Sequence, residues 1–492
     1  MGINREDILD EAEKLLVEVT EDKEYCYWSQ VDLILSEILR NINTIDFRRY
    51  CNLSEEKSSL KRKHFLVASV ELLLESAKIK GFNLCRKNDN IYLFNSEHWV
   101  NLSEGVFKDF LSNVALKMGV DKYDAKHHLY KDEMYKQFLS DARLKEIKPN
   151  IKTTLINLKN GTFEIGPEKS FLREFRESDF LTYQLPFRYD PQAVAPQFRK
   201  FLDEVLPEQE LQDILAEYIG YVFVKNSVLK LEKVLLLFGT GANGKSVLFE
   251  ILMALLGAQN ITNYSLQSLT AENGNSRAML ENKLLNYASE INGKLESSIF
   301  KQLISGEPVE AKLLYKDTQT ITDYARFIFN CNELPTEIEN TNGYFRRFLI
   351  LPFKVTIPED KQDKELSKRI IESELSGVFN WVLMGLERLL KNKSFTNSTI
   401  VQDEIQKYKK ESDSVLMFLE EEGYEKSITF HRPLKDIYTE YKSYCLDGGY
   451  KPCSNKTFSK RLKNDGYCIE RKSGGNEVFI QRKELDPDGL GF

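Results

Sequence analysis

The sequence predicts an α/β fold built around a phosphate-binding core, and three observations predict it. An apolar run, Val234–Phe238, enters the glycine-rich loop Gly239-Thr240-Gly241-Ala242-Asn243-Gly244-Lys245-Ser246. A helical apolar pattern follows at once, with Val247, Leu248, Ile251, Leu252 and Leu255. Further strand-like runs, Phe327 to Phe329 among them, end in polar residues downstream. Strand, loop and helix is the context in which GxxxxGK[ST] holds phosphate. Backbone N–H groups close around the oxygens, and the helix N-terminus adds its positive dipole end. Lys245 is placed to reach β/γ-phosphates and Ser246 to hold Mg²⁺. The bland alternative is a chance match in a glycine turn; the flanking strand and helix argue against it.

Length and composition bound the rest. At 492 residues the chain holds roughly three domains. An apolar content of 42% and a charged content of 29% are those of a globular protein. No stretch approaches the ~20 apolar residues of a membrane span, so no membrane partner is expected. The start, MGINREDILDEAEKLL, is acidic and helical, unlike a signal peptide, and Glu6 disfavours myristoylation of the Met-Gly end. Seven cysteines without a CxxC pair point to a reducing cytoplasm and against a zinc site or disulfide framework. His127-His128 reads as a surface pair on a helix. A net charge of −7 excludes a bulk-basic nucleic-acid coat but not a local grip on DNA.

Residues 1–150 read as a mainly helical domain, with strand-like segments either side of Lys87-Asn88-Asp89-Asn90. Residues 151–195 read as an extended connector, in which Asn160-Gly161 between apolar flanks signals a hairpin. Residues 196–395 are the nucleotide module, closed by a helix pair at 365–390 that carries Trp381. Residues 396–492 are expected to be a polar linker, or a loosely packed helix, and then a small domain.

Hydrolysis needs more than a phosphate loop: an acid for water, a polar sensor and positive charge for the transition state. Residues 283–291, KLLNYASEI, end a strand at Ser289-Glu290, making Glu290 the single candidate acid. In RFIFNCNELP, Asn332 follows a buried strand, where an amide can bond both water and γ-phosphate; alone it would read as a turn former. In GYFRRFLILPF, Arg346 and Arg347 precede an apolar strand. An arginine finger commonly comes from a neighbouring subunit; alone, the pair would read as surface charge. The order of loop, acid, amide and arginine lifts the weaker members.

Together these segments resemble a superfamily 3 helicase of the AAA+ class, most closely the helicase part of phage and plasmid primase-helicases, related to those of poxviruses. GTGANGKS, NKLLNYASEI, FKQLISGEPVEAKLLYKDTQT, FIFNCNELP and GYFRRFLILPF carry the resemblance, with INLKNGTFEI ahead of them and FTNSTIVQDEIQKYKKESDSVLMFL behind. The resemblance implies an AAA+ P-loop ATPase core binding ATP and Mg²⁺ through residues 239–246. It makes Glu290 the catalytic acid, Asn332 the γ-phosphate sensor, and Arg347 the finger with Arg346 as runner-up. It also implies that Lys301, Lys312 and Lys316 lie in the segment bearing a DNA-gripping hairpin, with Lys316 at the tip. Solvated charge is the bland reading of these lysines. The family often carries a primase domain ahead of the helicase. The stretch before residue 151 offers no convincing close pair of carboxylates on a strand followed by His, so a separate primase partner is expected.

Residues 415–480 read as three helices followed by two strands, Tyr467–Arg471 and Glu477–Gln481, with Ser454 capping a basic helix that carries Lys456, Lys460, Arg461 and Lys463. This is a winged-helix pattern, used elsewhere for DNA or for protein partners. The expected activity is an ATP-driven DNA helicase for a mobile element, phage or virus, working in the host cytoplasm as a homo-oligomeric ring, a hexamer. The alternatives are an origin-binding initiator or loader without processive unwinding, and a scaffold-type regulatory NTPase.

Overall fold

The computed structural model describes residues 23–53, 59–87, 90–144, 152–289, 296–313, 317–335 and 341–483. Glu290 and Lys316, each given a role from sequence, lie outside the described residues, as does Asp89.

The N-terminal unit packs four longer helices, Lys23–Arg40, Arg62–Ile79, Glu104–Met118 and His128–Asp141, around a small antiparallel sheet. That sheet is β1 (Asn83–Lys87), β2 (Asn90–Phe94) and β3 (Trp99–Leu102), paired in that order. Leu73, Phe107, Leu111, Met134 and Phe138 are buried between the layers. His127 and His128 are exposed where the last of these helices begins, as expected.

A three-stranded meander follows: β4 (Thr154–Leu158), β5 (Gly161–Ile165) and β6 (Ser170–Arg173). The expected hairpin is present, with Leu158 opposite Gly161 and Lys159-Asn160 as its turn. Gly161 has φ +141°, and a Cβ there would lie 2.4 Å from the Arg173 carbonyl, so only glycine fits.

The central sheet has five parallel strands: β7 (Val234–Phe238), β8 (Ile261–Thr262), β9 (Leu285–Ser289), β12 (Arg326–Cys331) and β13 (Phe348–Pro352). Their spatial order is β13-β7-β12-β9-β8. Both faces are covered, which explains the continuous apolar runs. Leu235, Leu237, Ile328 and Leu351 join one core with the helices Gln209–Tyr221, Lys245–Leu256 and Leu375–Asn392. Val234, Leu236, Phe327, Phe329 and Ile350 join another with the helix Ser297–Ser305. A two-stranded ribbon, β10 (Val309–Lys312) and β11 (Thr318–Ile321), stands apart from this sheet.

At the C-terminal end one pair of alternatives is resolved and one expectation needs correction. The segment read as a linker or loose helix is the helix Thr399–Glu411, with Val401, Glu404 and Tyr408 buried. The Tyr408 hydroxyl donates to the Pro335 carbonyl at 2.8 Å, and its ring meets Phe345 edge-on. Its polar sequence conceals a narrow packed stripe. In the terminal unit, a strand unforeseen from sequence, β14 (Tyr424–Pro433), separates the helix Ser414–Glu421 from Leu434–Asp447. The helix Asn455–Asn464 follows, then β15 (Ile469–Lys472) and β16 (Gly475–Arg482), in the sheet order β14-β16-β15. No described helix is long and apolar enough to cross a membrane. Among the described residues, no group of three or more His, Cys, Asp or Glu is placed to hold a metal ion.

Candidate nucleotide site

The glycine-rich loop leaves the C-terminal end of β7 and turns into the helix Lys245–Leu256. A Cβ on Gly239 would lie 2.3 Å from the Phe353 carbonyl, so the loop and the end of β13 approach as closely as backbone allows. Gly244 adopts φ +84°, and a Cβ there would lie 2.7 Å from Val205. Ala242 is left-handed as well, at φ +58°, a conformation that costs an L-residue about 1–2 kcal/mol. Asn243 is buried, and its amide donates to the Thr240 carbonyl and, at 3.3 Å, to that of Phe353. Ile357 N–H donates to Ala242 O at 2.7 Å. The loop is therefore braced from within and against the next strand, and the Asn243 side chain serves as that brace.

Lys245 is buried at the base of the loop, and burial holds its pKa below the usual lysine value. Its ammonium donates to Gly239 O and lies 3.5 Å from the Asn332 side-chain oxygen. Topology causes that meeting. β12 lies beside β7 with Cys331 opposite Phe238, so Asn332, one residue on, emerges next to Gly239. On the far side of β12, Ser289 pairs with Asn330 and is exposed at the same edge. Ser246 is also exposed, in the first turn of the helix. Cys331 was missed from sequence. Its carbonyl accepts the Gly239 N–H at 3.0 Å, and burial pushes its thiol up to about 12. Nothing in the spacing of a lone cysteine signals that contact.

The two arginines sit at the opposite edge of the sheet. β13 runs parallel to β7 with Phe348 level with Val234, so Arg347 stands level with Lys233. Six residue steps of about 3.3 Å separate that level from Gly239, about 20 Å along the strand. Arg347 is buried; its guanidinium donates to Gly343 O and, at 2.9 Å, to the Ser305 hydroxyl. Arg346 keeps 64% of its side chain exposed and pairs with Glu232 at 3.0 Å. Glu232 itself is left-handed, at φ +53°. Within this chain, then, the Arg347 guanidinium is engaged by Gly343 and Ser305, and Arg346 is the more exposed of the two.

The lysines divide as well. β10 and β11 form the expected hairpin, with Lys312 exposed opposite Thr318. Lys301, by contrast, lies on the preceding helix Ser297–Ser305 and not on the ribbon. Arg277, unremarked in the sequence, is buried and anchors the ribbon: it donates to Glu310 O at 2.7 Å and to Ala271 O at 2.6 Å. In the terminal unit Ser454 caps its helix by accepting Thr457 N–H at 3.3 Å, and Lys456 and Lys460 are exposed. Arg461 is less exposed, with 24% of its side chain accessible, and pairs with Asp413 at 2.9 Å.

Three family descriptions match the chain: "D5 N terminal like" over residues 71–207, a family of unknown function (DUF5906) over 237–347, and "Poxvirus D5 protein-like" over 410–484. A curated relative, the "Putative helicase L207/L206" of Acanthamoeba polyphaga mimivirus, is 22% identical over 346 residues. That alignment takes in 60% of this chain and 35% of the viral protein, so the chain spans about a third of its relative's length. Among solved structures, the apo form of the NrS-1 C-terminal region aligns over 84% of this chain and 98% of its own, at 12% identity and a TM-score of 0.48.

Proposed function

We propose, for a chain that belongs to the phage and viral primase-helicase family, that it is an ATP-dependent DNA helicase whose ATP sites lie between subunits of a ring. One observation carries this reading. The loop lysine and Asn332 meet at one edge of the parallel sheet, whereas Arg346 is exposed at the other. A protomer with its phosphate loop and its available arginine at opposite edges is suited to completing a site with the next copy. The strand order, with the phosphate loop leaving β7 between β13 and β12, supports an AAA+ core. The terminal order helix-strand-helix-helix-strand-strand supports a winged helix. The helix Thr399–Glu411 belongs with the core, so the last domain begins after it; residues 1–150 and 151–195 remain a collar or docking domain and a connector.

The loop suits ATP on its own evidence. Gly239 and Gly244 sit where side chains would collide, and a buried ammonium stands beside them. The backbone of residues 239–246 cradles phosphates, and Lys245 exchanges its carbonyl contacts for phosphate oxygens, which are stronger partners. Ser246 would hold Mg²⁺, which when bound neutralises charge on the β and γ oxygens. Glu290 takes the proton of the attacking water, Asn332 orients that water against the γ-phosphate, and Arg346 of an adjacent copy meets the developing charge. The Lys312 ribbon grips one DNA strand by its phosphates. A forked DNA substrate tests the whole. Strand displacement dependent on ATP is expected; hydrolysis with no displacement, even beside a primase partner, overturns the helicase reading in favour of an initiator or a scaffold.

A further inference from the structure

A cleft of about 1080 Å³ opens between the N-terminal unit, the meander connector and the edge of the sheet opposite the phosphate loop. Its cationic lining comes from separate elements: Arg86 and Lys87 on β1, Arg143 after the last N-terminal helix, Lys225, Lys283 and Arg326. Among the described residues, two carboxylates line the cleft, Asp179 and Asp323, and Asp179 is already paired with Arg173 at 2.8 Å. Arg326 is discounted as well, since it donates to Val224 O and Asn226, both at 2.8 Å. Arg86 and Lys283 are engaged too, donating to Leu139 O at 3.2 Å and Gln259 O at 2.6 Å, and an excess of positive charge remains in Lys87, Arg143 and Lys225 against Asp323. It occurs in a chain whose net charge is −7, which makes the concentration at one place informative.

The walls are fixed in place. Tyr92 accepts from Asn282 at 3.1 Å, and Trp99 N–H donates to Leu181 O at 2.8 Å, so sheet, connector and core hold a set spacing. Phe180 is held left-handed at φ +47°, stacks on Trp99 and carries the Lys87 ammonium 4.0 Å above its ring. Burial lowers the Lys87 pKa, and the neighbouring Lys225 adds to this, against the opposing pull of Asp323 and Glu281.

The position identifies the ligand class. Gly306, just before β10, and Thr322, just after β11, both line the cleft, so the ribbon bearing Lys312 rises directly from its wall. A strand gripped by the ribbon passes the cleft mouth. The volume is comparable with the roughly 300–1,000 Å³ of small-molecule sites, enough for a few nucleotides and too small for a duplex. We propose that this cleft binds a short stretch of single-stranded nucleic acid by its phosphates, next to the ribbon and on the side away from the phosphate loop. The proposal rests on the helicase reading, because it takes its ligand from the ribbon.

The test is fluorescence anisotropy of a labelled oligothymidylate on the full chain across a salt series. The cleft variant is Lys225→Glu with Arg143→Glu, both exposed and outside the nucleotide site; the ribbon variant is Lys312→Glu. The proposal expects the cleft variant to lose about tenfold in affinity and to show a shallower salt dependence, with DNA-free ATP hydrolysis unchanged. Wild-type affinity and slope in the cleft variant, with a loss in the ribbon variant, overturn the cleft and leave the helicase reading standing. No binding by the unmodified chain overturns both. Residual ATP binding in Lys245→Ala that Lys225→Glu abolishes makes the cleft a mononucleotide site and overturns the proposal as well.

Discussion

The two edges of the central sheet carry the same kind of residue to opposite ends. At one edge Lys245 is buried and yet aimed into the loop, 3.5 Å from Asn332. At the other, two adjacent arginines differ completely: Arg347 is locked onto Ser305 and Gly343, and Arg346 stands 64% exposed beside Glu232. Burial thus has opposite meanings at the two edges. The loop lysine is buried at the base of a glycine loop, against Gly239 O and Asn332; Arg347 is buried against Gly343 O and Ser305. A cation available to another subunit has to remain partly solvated, and of the two arginines it is Arg346 that does so.

The strongest way to break this contrast is to exchange the arginines' fates. Arg346→Ala is expected to lower turnover about 10³-fold while ATP binding stays intact. Mixing it with Lys245→Ala should restore part of the lost phosphate release, because each variant supplies what the other lacks across an interface. No recovery in the mixture, or an equal loss in a well-folded Arg347→Ala, returns the finger to Arg347. Lys245→Ala alone comes next, with turnover down about 10²-fold and an unchanged melting profile, since its partners in the chain are loop oxygens.

Arg347→Ala probes stability instead. It leaves the Ser305 hydroxyl without its charged donor and Glu232 with one cation fewer, and should cost about 2–3 kcal/mol, read as a lower urea midpoint. Arg347→Lys should recover little of this, because one ammonium cannot span Gly343 and Ser305 as a planar fork does. A midpoint equal to wild type in both variants would mean that Arg347 has no bracing role.

How much of this was legible in the sequence follows from the range of each interaction. Strand, loop and helix at 234–255 are local, and the structure forms them where the pattern predicts. The approach of Asn332 to Lys245 spans 87 residues and was inferred from motif order; the pairing of β12 with β7 is its physical cause. Which arginine is exposed was illegible, because Ser305 lies 42 residues upstream and carries no motif. The same holds for Arg277, whose ligands are carbonyls and leave no trace in residue type. The helix Thr399–Glu411 could not be told from a linker in sequence because its fully buried residues are only Val401, Glu404 and Tyr408, one of them charged. Strand β14 was missed because most of its residues are exposed, so it lacks the alternation that marks a half-buried strand.

The smallest effect extends the contrast between committed and available cations to the terminal domain. Arg461 belongs with Arg347: its pairing with Asp413 joins its helix to the start of the helix Ser414–Glu421. Lys456 and Lys460 belong with Arg346, exposed on the same face of one helix at a spacing of four residues. Replacing both lysines by Ala should weaken duplex binding a few-fold and reduce the salt slope by about two, with stability unchanged. Arg461→Ala should instead lower the stability of this domain and leave the slope intact. If the double variant binds duplex with the wild-type slope, those lysines face a protein partner, and the exposed face of that helix serves docking rather than DNA.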